Sequence, residues 1–576
     1  MQTHTRFGTL VLALVAVLVP ALAAHAQSQL YVNANIYTLD PDNPRAETML
    51  VDNGLVTAIG SSEQVRTAMR EQGVRVYEKF DLEGRTVIPG LIDAHGHMIS
   101  LGALGLGLLD LRAATSFDDV INIVRDRAGR APAGTWIVGR GWDNESWPET
   151  DLPHHRLLSE AVPDHPVWLS RVDGHAGLAN DRAMQAAGVS GSTVSPAGGE
   201  MLLDHLGEPT GVFVDAAMSL IASHLPSGLT PDAEACILKA QEMCLAVGLT
   251  AVHDAGVSPE EIAVYRRLEA EGRLKIRIYA MLHGRDAPEY FETYGPYDNF
   301  KLSIYAAKAY MDGAMGSRGA WLLEPYADRP AAPDAGSDSP DGTPYTGLAT
   351  TTPAEIEALA VHAFNHAYQL NTHAIGDRAN REVLDAYARA LESTKDTRPP
   401  QTLPRHRIEH AQLLHPDDIP RFAGLGVVAS MQPTHATSDM RWVDARVGPA
   451  RAAGAYAWAS LLKSGAHLAL GSDFPVESHN PFLGIFAAVT RQNPDGIPAG
   501  GWHPEQRLTR EEALRGFTIG AAYAAFWEDR AGTLEPGKLA DFVVLDRDIM
   551  TCDAADIPGT KVLWTISAGE VLYKAR

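Results

Sequence analysis

Residues 86–97 read TVIPGLIDAHGH, and the way this stretch ends decides the fold. An apolar run of strand length stops on two histidines, His95 and His97, separated by one glycine. Residues i and i+2 of a strand point to the same face, so both imidazoles leave the strand end side by side. Seven further stretches repeat the theme of a short apolar run that ends in polar or ionisable residues. They are LTAVHDAG (249–256), KIRIYAMLH (275–283), IYAAKAYMDG (304–313), YQLNTHAIG (368–376), RHRIEHAQ (405–412), GVVASMQPTH (426–435) and AHLALGSDFP (466–475). Helical patterns lie between them, and strands alternating with helices build parallel βα units. Eight such units predict a (β/α)8 barrel, an α/β fold of the TIM-barrel kind, in which side chains at the C-terminal strand ends form the active site. A dinucleotide-binding sheet would also alternate strand and helix, but no GxGxxG follows the first strand.

The chain has 576 residues, more than a bare barrel needs. At the N-terminal side, SQLYVNANIYTLD and MLVDNGLVTAIG read as strands, the second a hairpin through Asn53-Gly54. LADFVVLDRDI and KVLWTISAGEVLYKAR at the other end have the same texture. One small β-sandwich assembled from both chain ends is expected. The first two barrel strands stand roughly 150 residues apart, far beyond an ordinary βα connection, which places an inserted subdomain after barrel strand one, over the barrel mouth. The organisation expected is an export signal at 1–26, sandwich at 27–88, barrel strand one and the start of the barrel at 89–110, insertion at 111–226, catalytic barrel at 227–527 and the rest of the sandwich at 528–576. The Pro-, Gly- and Asp-rich stretch 331–345 reads as a mobile loop.

Composition narrows the function. With 48 Lys+Arg against 71 Asp+Glu and a net charge of -23, the chain lacks the basic surface that a nucleic-acid binder needs. Arg6, the apolar run Leu10–Val19, Pro20 and the Ala24-His25-Ala26 pattern read as a cleavable signal peptide, which implies a periplasmic or secreted protein with no membrane association after cleavage. Of the three cysteines, Cys236 and Cys244 fall in one helical stretch, roughly 12 Å apart along its axis and too far for a disulfide.

An HxH pair alone arises easily by chance. Its weight comes from what the other strand ends carry: Lys308 on strand four, His373 on strand five, His410 on strand six and Asp473 on strand eight. In this set the chain resembles the metal-dependent amidohydrolase superfamily, where those residue types occupy those strands. GLIDAHGH, KAYMDGAMGSRGAWLLEPY, NTHAIGDRAN, RHRIEHAQ and GSDFPV, with RVDGHAGLAN and GEPTGVF in the insertion and LEPGKLADFVVLD near the end, are similar to its YtcJ/AepA-like branch, which includes N-substituted formamide deformylases.

The resemblance implies one or two Zn2+ ions, or another divalent metal. His95, His97 and Asp473 would hold the first, and His373 and His410 the second, with a carboxylated Lys308 bridging them. With a single metal, His410 serves as a donor instead. Metal-activated hydroxide would attack a C–N bond of a small N-acyl or N-formyl compound, with Asp473 as general base and then acid. Asp173 and His175 from the insertion, Arg318 and Trp142 are the candidate substrate-binding residues. The same metal site also suits an esterase, lactonase or phosphotriesterase, and the same barrel could serve as a non-catalytic binding or regulatory protein. The expected partner is a small amide-type molecule, with no nucleic acid, and a homo-oligomer is compatible with the sequence.

Overall fold

A computed structural model describes residues 28–226, 228, 231–329, 344–397 and 405–576. The signal segment read at 1–26 and most of the loop read at 331–345 lie outside the described residues. No helix among the described residues is long and apolar enough to cross a membrane.

Eight parallel strands form the central sheet: β1 (Leu91–Gly96), β2 (Leu249–Val257), β3 (Arg277–His283), β4 (Leu302–Tyr310), β5 (Gln369–Ala374), β6 (Arg407–His410), β7 (Val428–Met431) and β8 (Leu468–Leu470). Each pairs in parallel with its successor. β1 and β5 are buried along their whole length, as strands covered on both faces must be. This explains why the sequence shows apolar runs rather than strict alternation.

The last seam closes through the backbone just beyond β8. Asp473 N donates to His95 O at 2.7 Å and His97 N to Phe474 O at 2.8 Å. Gly96 lies between them with no room for a side chain, since a Cβ there would stand 2.5 Å from the Phe474 ring. The glycine of the HxH motif is thus a packing requirement of barrel closure, and closure itself brings β1 and the β8 end together.

Chain ends and insertion complete the molecule. One sheet joins Ser28–Val32, Thr48–Asp52, Leu55–Gly60 and Tyr77–Asp81; a second joins Asn35–Tyr37, Arg45–Ala46 and Thr86–Pro89 to Phe542–Leu545, Val562–Ser567 and Glu570–Lys574. A shared apolar core that includes Tyr31, Val51, Val87, Phe542 and Ile566 lies between them, so the sandwich is built from both termini. Buried Arg277 in β3 pairs with Asp541 beside the sandwich strand Phe542–Leu545, which ties barrel and sandwich together. Between β1 and β2, six strands from Leu109–Asp110 to Pro209–Asp215 form a separate sheet with apolar cores of its own. Cys236 and Cys244 are both free and buried within helix Ala233–Ala246.

Candidate metal centre

The C-terminal strand ends converge on one spot. His95 lies in β1 and His97 just past it, Lys308 in β4, His373 in β5, His410 at the end of β6, and Asp473 three residues after β8. His410 and Asp473 both take positive backbone φ, 75° and 59°, a region costly for residues other than glycine and found preferentially at functional sites.

Hydrogen bonding fixes where the protons are. His97 Nδ1 lies 3.0 Å from Ala255 O. A carbonyl only accepts, so neutral His97 carries its proton there and presents a lone pair on Nε2. His95 Nδ1 lies 2.5 Å from Glu409 Oε2, which leaves a lone pair on its Nε2 as well. Asp473 Oδ1 lies 3.0 Å from His97 Nε2 and 3.7 Å from His95 Nε2. It is buried and accepts no hydrogen bond. Three lone-pair atoms therefore converge with no proton on any of them, though His95 Nε2 also faces the Lys308 ammonium at 3.3 Å, and the arrangement suits a divalent cation. Two imidazoles and a carboxylate fit Zn2+ and related divalent ions.

Glu409 is the supporting group that spacing did not single out. It sits between Arg407, at 2.8 Å, and His95. Burial alone would raise its carboxyl, but Arg407 and His95 together outweigh this and hold it well below the ordinary range. A carboxylate that orients a histidine through its distal nitrogen is the usual outer support of a metal ligand. Burial, followed by the neighbouring Lys308 ammonium, pushes His95 down to about 4, so the ring is neutral at pH 7, as a ligand must be.

A second convergent group is His410, His435 and Asp473. His410 Nδ1 lies 2.8 Å from Gln432 Oε1, so its Nε2 also offers a lone pair. His435, from helix Pro433–Asp439 after β7, is the opposite case. Its Nδ1 lies 3.1 Å from Gln412 Nε2; with that amide donating, the ring proton sits on Nε2, 3.7 Å from Asp473 Oδ2. In this tautomer His435 is a donor rather than a ligand. His435 ends the seventh strand-like stretch, and that position was its one signal in the sequence.

Lys308 and His373 stand beside these groups. Lys308 Nζ lies 3.3 Å from His95 Nε2, and burial lowers its pKa to about 8. His373 lies 4.6 Å from the His410 ring and 5.0 Å from the His175 ring, with its Nε2 3.5 Å from Gly313 O. Next to it, Asp312 accepts from the backbone N–H groups of Trp321, Ile375 and Gly376 and pins the loops after β4 and β5. His253 is a structural residue of the barrel interior, bound to Arg407 at 2.9 Å.

Two cavities, of about 300 and about 660 Å³, meet at the site and share Asp173, His175, His373, His410 and Asp473 on their walls. The insertion thus contributes directly. Asp173 is bound by Arg171 and by the His175 backbone N–H, and His175 is oriented by Asp215.

Two of the substrate-binding expectations are corrected. Trp142 is fully buried and donates its indole N–H to Leu169 O at 2.8 Å. A bulge at Gly141, with φ 106°, breaks the strand alternation. It turns Trp142 into the insertion core while Arg140 lines the larger cavity. Arg318 is committed to Asp328 at 2.9 Å and lines neither cavity. It fastens a loop rather than a substrate.

The Amidohydrolase family model matches residues 78–573. Protein LONG AFTER FAR-RED 3 of Arabidopsis thaliana is 34% identical, over 94% of this chain and 91% of its own. N-substituted formamide deformylase of Arthrobacter pascens is 30% identical, over 94% of this chain and 98% of its own. The crystal structure of a metal-dependent hydrolase from Pyrococcus horikoshii superimposes with a TM-score of 0.71 at 28% identity, covering 92% of this chain and 99% of that one. With its barrel, its convergent imidazoles and these relatives, the chain is a hydrolase that belongs to the metal-dependent amidohydrolase family, in its YtcJ/AepA-like branch.

Proposed function

We propose that this hydrolase cleaves the C–N bond of a small N-acyl or N-formyl compound. The observation that carries the reading is the meeting of His95 Nε2, His97 Nε2 and Asp473 Oδ1, all lone pairs, in the wall of the larger cavity, which shares Asp473 with the smaller one. A bond cleaved there has room for an arm on each side, as an amide with distinct acyl and amine portions requires. The deformylase of Arthrobacter pascens supports the choice of bond.

His95, His97 and Asp473 would hold a divalent ion, zinc by ligand type, which when bound would supply Lewis-acid activation of water and of the scissile carbonyl. The chain's own residues do the rest. Asp473 takes a proton from the attacking water and returns it to the leaving nitrogen, acting as base and then acid. His435 Nε2–H is positioned to donate to the carbonyl oxygen as charge develops on it. His410 Nε2 remains available as a further ligand. Burial that brings Lys308 to about 8 favours its carboxylation: the ammonium gives up one proton, the neutral Nζ bonds to the carbon of CO2 and releases a second, and a cation becomes a carbamate anion that could serve as a ligand for a second ion. Export to the periplasm or the medium is part of the same proposal and rests on the leader-like segment at residues 1–26.

The test is turnover by zinc-loaded protein of a panel of N-formyl and N-acyl amines, carboxylic esters, lactones and phosphotriesters. Amide hydrolysis with the highest kcat/KM is the expected result. Ester or phosphotriester turnover without amide turnover would overturn the reading.

A further inference from the structure

The chain carries 71 acidic side chains against 48 basic ones, so an arginine finds a carboxylate easily, and those of the insertion nearest the site do. Arg112 pairs with Asp110, and Arg171 with Asp143 and Asp173. Arg140 does not. Among the described residues no carboxylate comes within 4.0 Å of its guanidinium, and its one hydrogen bond runs from Nη2 to Val172 O, at 3.0 Å. A guanidinium has five N–H donors, so four are left for something else.

Its surroundings show what that is. Arg140 lines the larger cavity together with His95, His97, Lys308 and Asp473. The nearest acids are not free to serve it: Asp473 Oδ1 faces the two imidazoles, and Asp173 is bound by Arg171. The position is also built. The Gly141 bulge separates Arg140 from the core-facing Trp142, and Val172 O holds one end of the fork. A planar, unpaired guanidinium held in a cavity wall matches a carboxylate, which it can bind through two parallel hydrogen bonds.

We propose that Arg140 is a specificity-determining residue that binds a carboxylate on the acyl or amine arm of the substrate, so that the compounds hydrolysed are anionic amides such as N-acyl amino acids. This rests on the amide-hydrolase reading above but is tested separately from it. The source of discrimination is then the insertion, while the barrel supplies the chemistry.

The experiment measures binding and turnover of N-benzoylglycine and of its uncharged carboxamide by the full, metal-loaded chain, with R140Q and R140K beside the wild type. Binding is read by calorimetry. The wild type binds the carboxylate about tenfold more tightly than the carboxamide, the scale of one charge-assisted contact. In R140Q that ratio collapses toward one, and in R140K, which keeps the charge without the fork, it is intermediate. R140K also decides the matter if R140Q does not fold. A wild type that binds the two equally, or variants that keep the wild-type ratio, overturns the proposal. Arg140-dependent binding without hydrolysis of any amide leaves the anion site standing and sinks the amide reading. Hydrolysis of amides with no preference for the carboxylate does the reverse.

Discussion

His175 Nδ1 lies 2.6 Å from Asp215 Oδ1, and this contact fixes a ring of the insertion in the wall of both cavities. Asp215 takes φ 48° and ψ -122°, a strained backbone for a residue with a Cβ. Its carboxyl is 3% exposed and fits against the loop after β4, where a Cβ on Gly313 or Gly319 would stand 2.2 or 2.6 Å from Oδ2. The seated carboxylate holds the His175 ring 5.0 Å from that of His373. Burial would lower His175, but Asp215 and Asp173 reverse this and raise it.

Replacing Asp215 with Asn keeps the shape and removes the charge. D215N should lower kcat by about 10- to 100-fold, the scale of a substrate-positioning group that loses its fixed orientation, with metal content at the wild-type level. G313A should do the same by steric means and cost about 1–3 kcal/mol of stability as the cradle overfills. Steady-state kinetics with metal analysis reads both. Wild-type kcat in D215N would show that His175 does not act on the substrate.

Glu409 joins the metal site to the barrel interior, so E409Q should fail in two ways. The His95 ring loses its anionic support, and metal affinity should fall by about 10- to 100-fold. Arg407, fully buried, loses its counter-charge, at a cost of about 3–5 kcal/mol. Equilibrium dialysis against a zinc buffer and urea unfolding separate the two effects. E409Q that binds zinc as the wild type does would mean that Ala255 and the barrel walls alone hold the imidazoles in place.

The barrel was legible because each strand announces itself twice, by an apolar run and by a polar residue at its end. His95, His97, Lys308, His373, His410 and Asp473 were legible as candidates for the same reason. What spacing does not carry is the partner of a partner. Glu409 lay in plain view in RHRIEHAQ, but its role depends on facing His95, 314 residues earlier in the chain. His435 ends the seventh stretch, but it sits one helical turn past β7, so the strand pattern does not say which way its ring faces. For Trp142, residue type alone fits a pocket wall as well as a core, and the Gly141 bulge that decides its face has no signature in the sequence. Arg318 was misread because its partner, Asp328, lies ten residues on, in a loop whose course no local pattern describes.

Asp254 gives a pH test that is independent of metal. It is buried in β2, accepts from Met98 N at 2.9 Å and from the Tyr265 hydroxyl at 2.6 Å, and burial pushes it up to about 6. Its folded pKa thus lies above the unfolded one. The stability gained from the neutral acid is complete below the unfolded pKa and is lost as pH rises through about 6. Asn mimics the neutral acid at every pH, so D254N should gain on the wild type by roughly 2–3 kcal/mol between pH 4 and pH 7. Urea midpoints of metal-free protein across that range measure the gap. A gap of constant size would show that Asp254 titrates alike in the folded and unfolded chain.

Metal removal separates the site from the scaffold. The barrel core is apolar, and its closing hydrogen bonds run between backbone atoms, so chelated protein should keep its far-ultraviolet circular dichroism while losing turnover. Zinc should restore turnover and raise the unfolding free energy with concentration, by about 4 kcal/mol at a thousandfold excess over Kd. The D473N variant sharpens the argument. An amide at position 473 removes the negative charge that offsets the ion and the group that carries the proton, but barely changes the volume. It should therefore show little zinc-dependent stabilisation and a kcat lower by about 10²- to 10⁴-fold, with a metal-free melting temperature near that of the wild type. A D473N protein that gains as much stability from zinc as the wild type, yet is inactive, would assign Asp473 to proton transfer alone. The ion would then rest on the imidazoles of His95, His97 and His410.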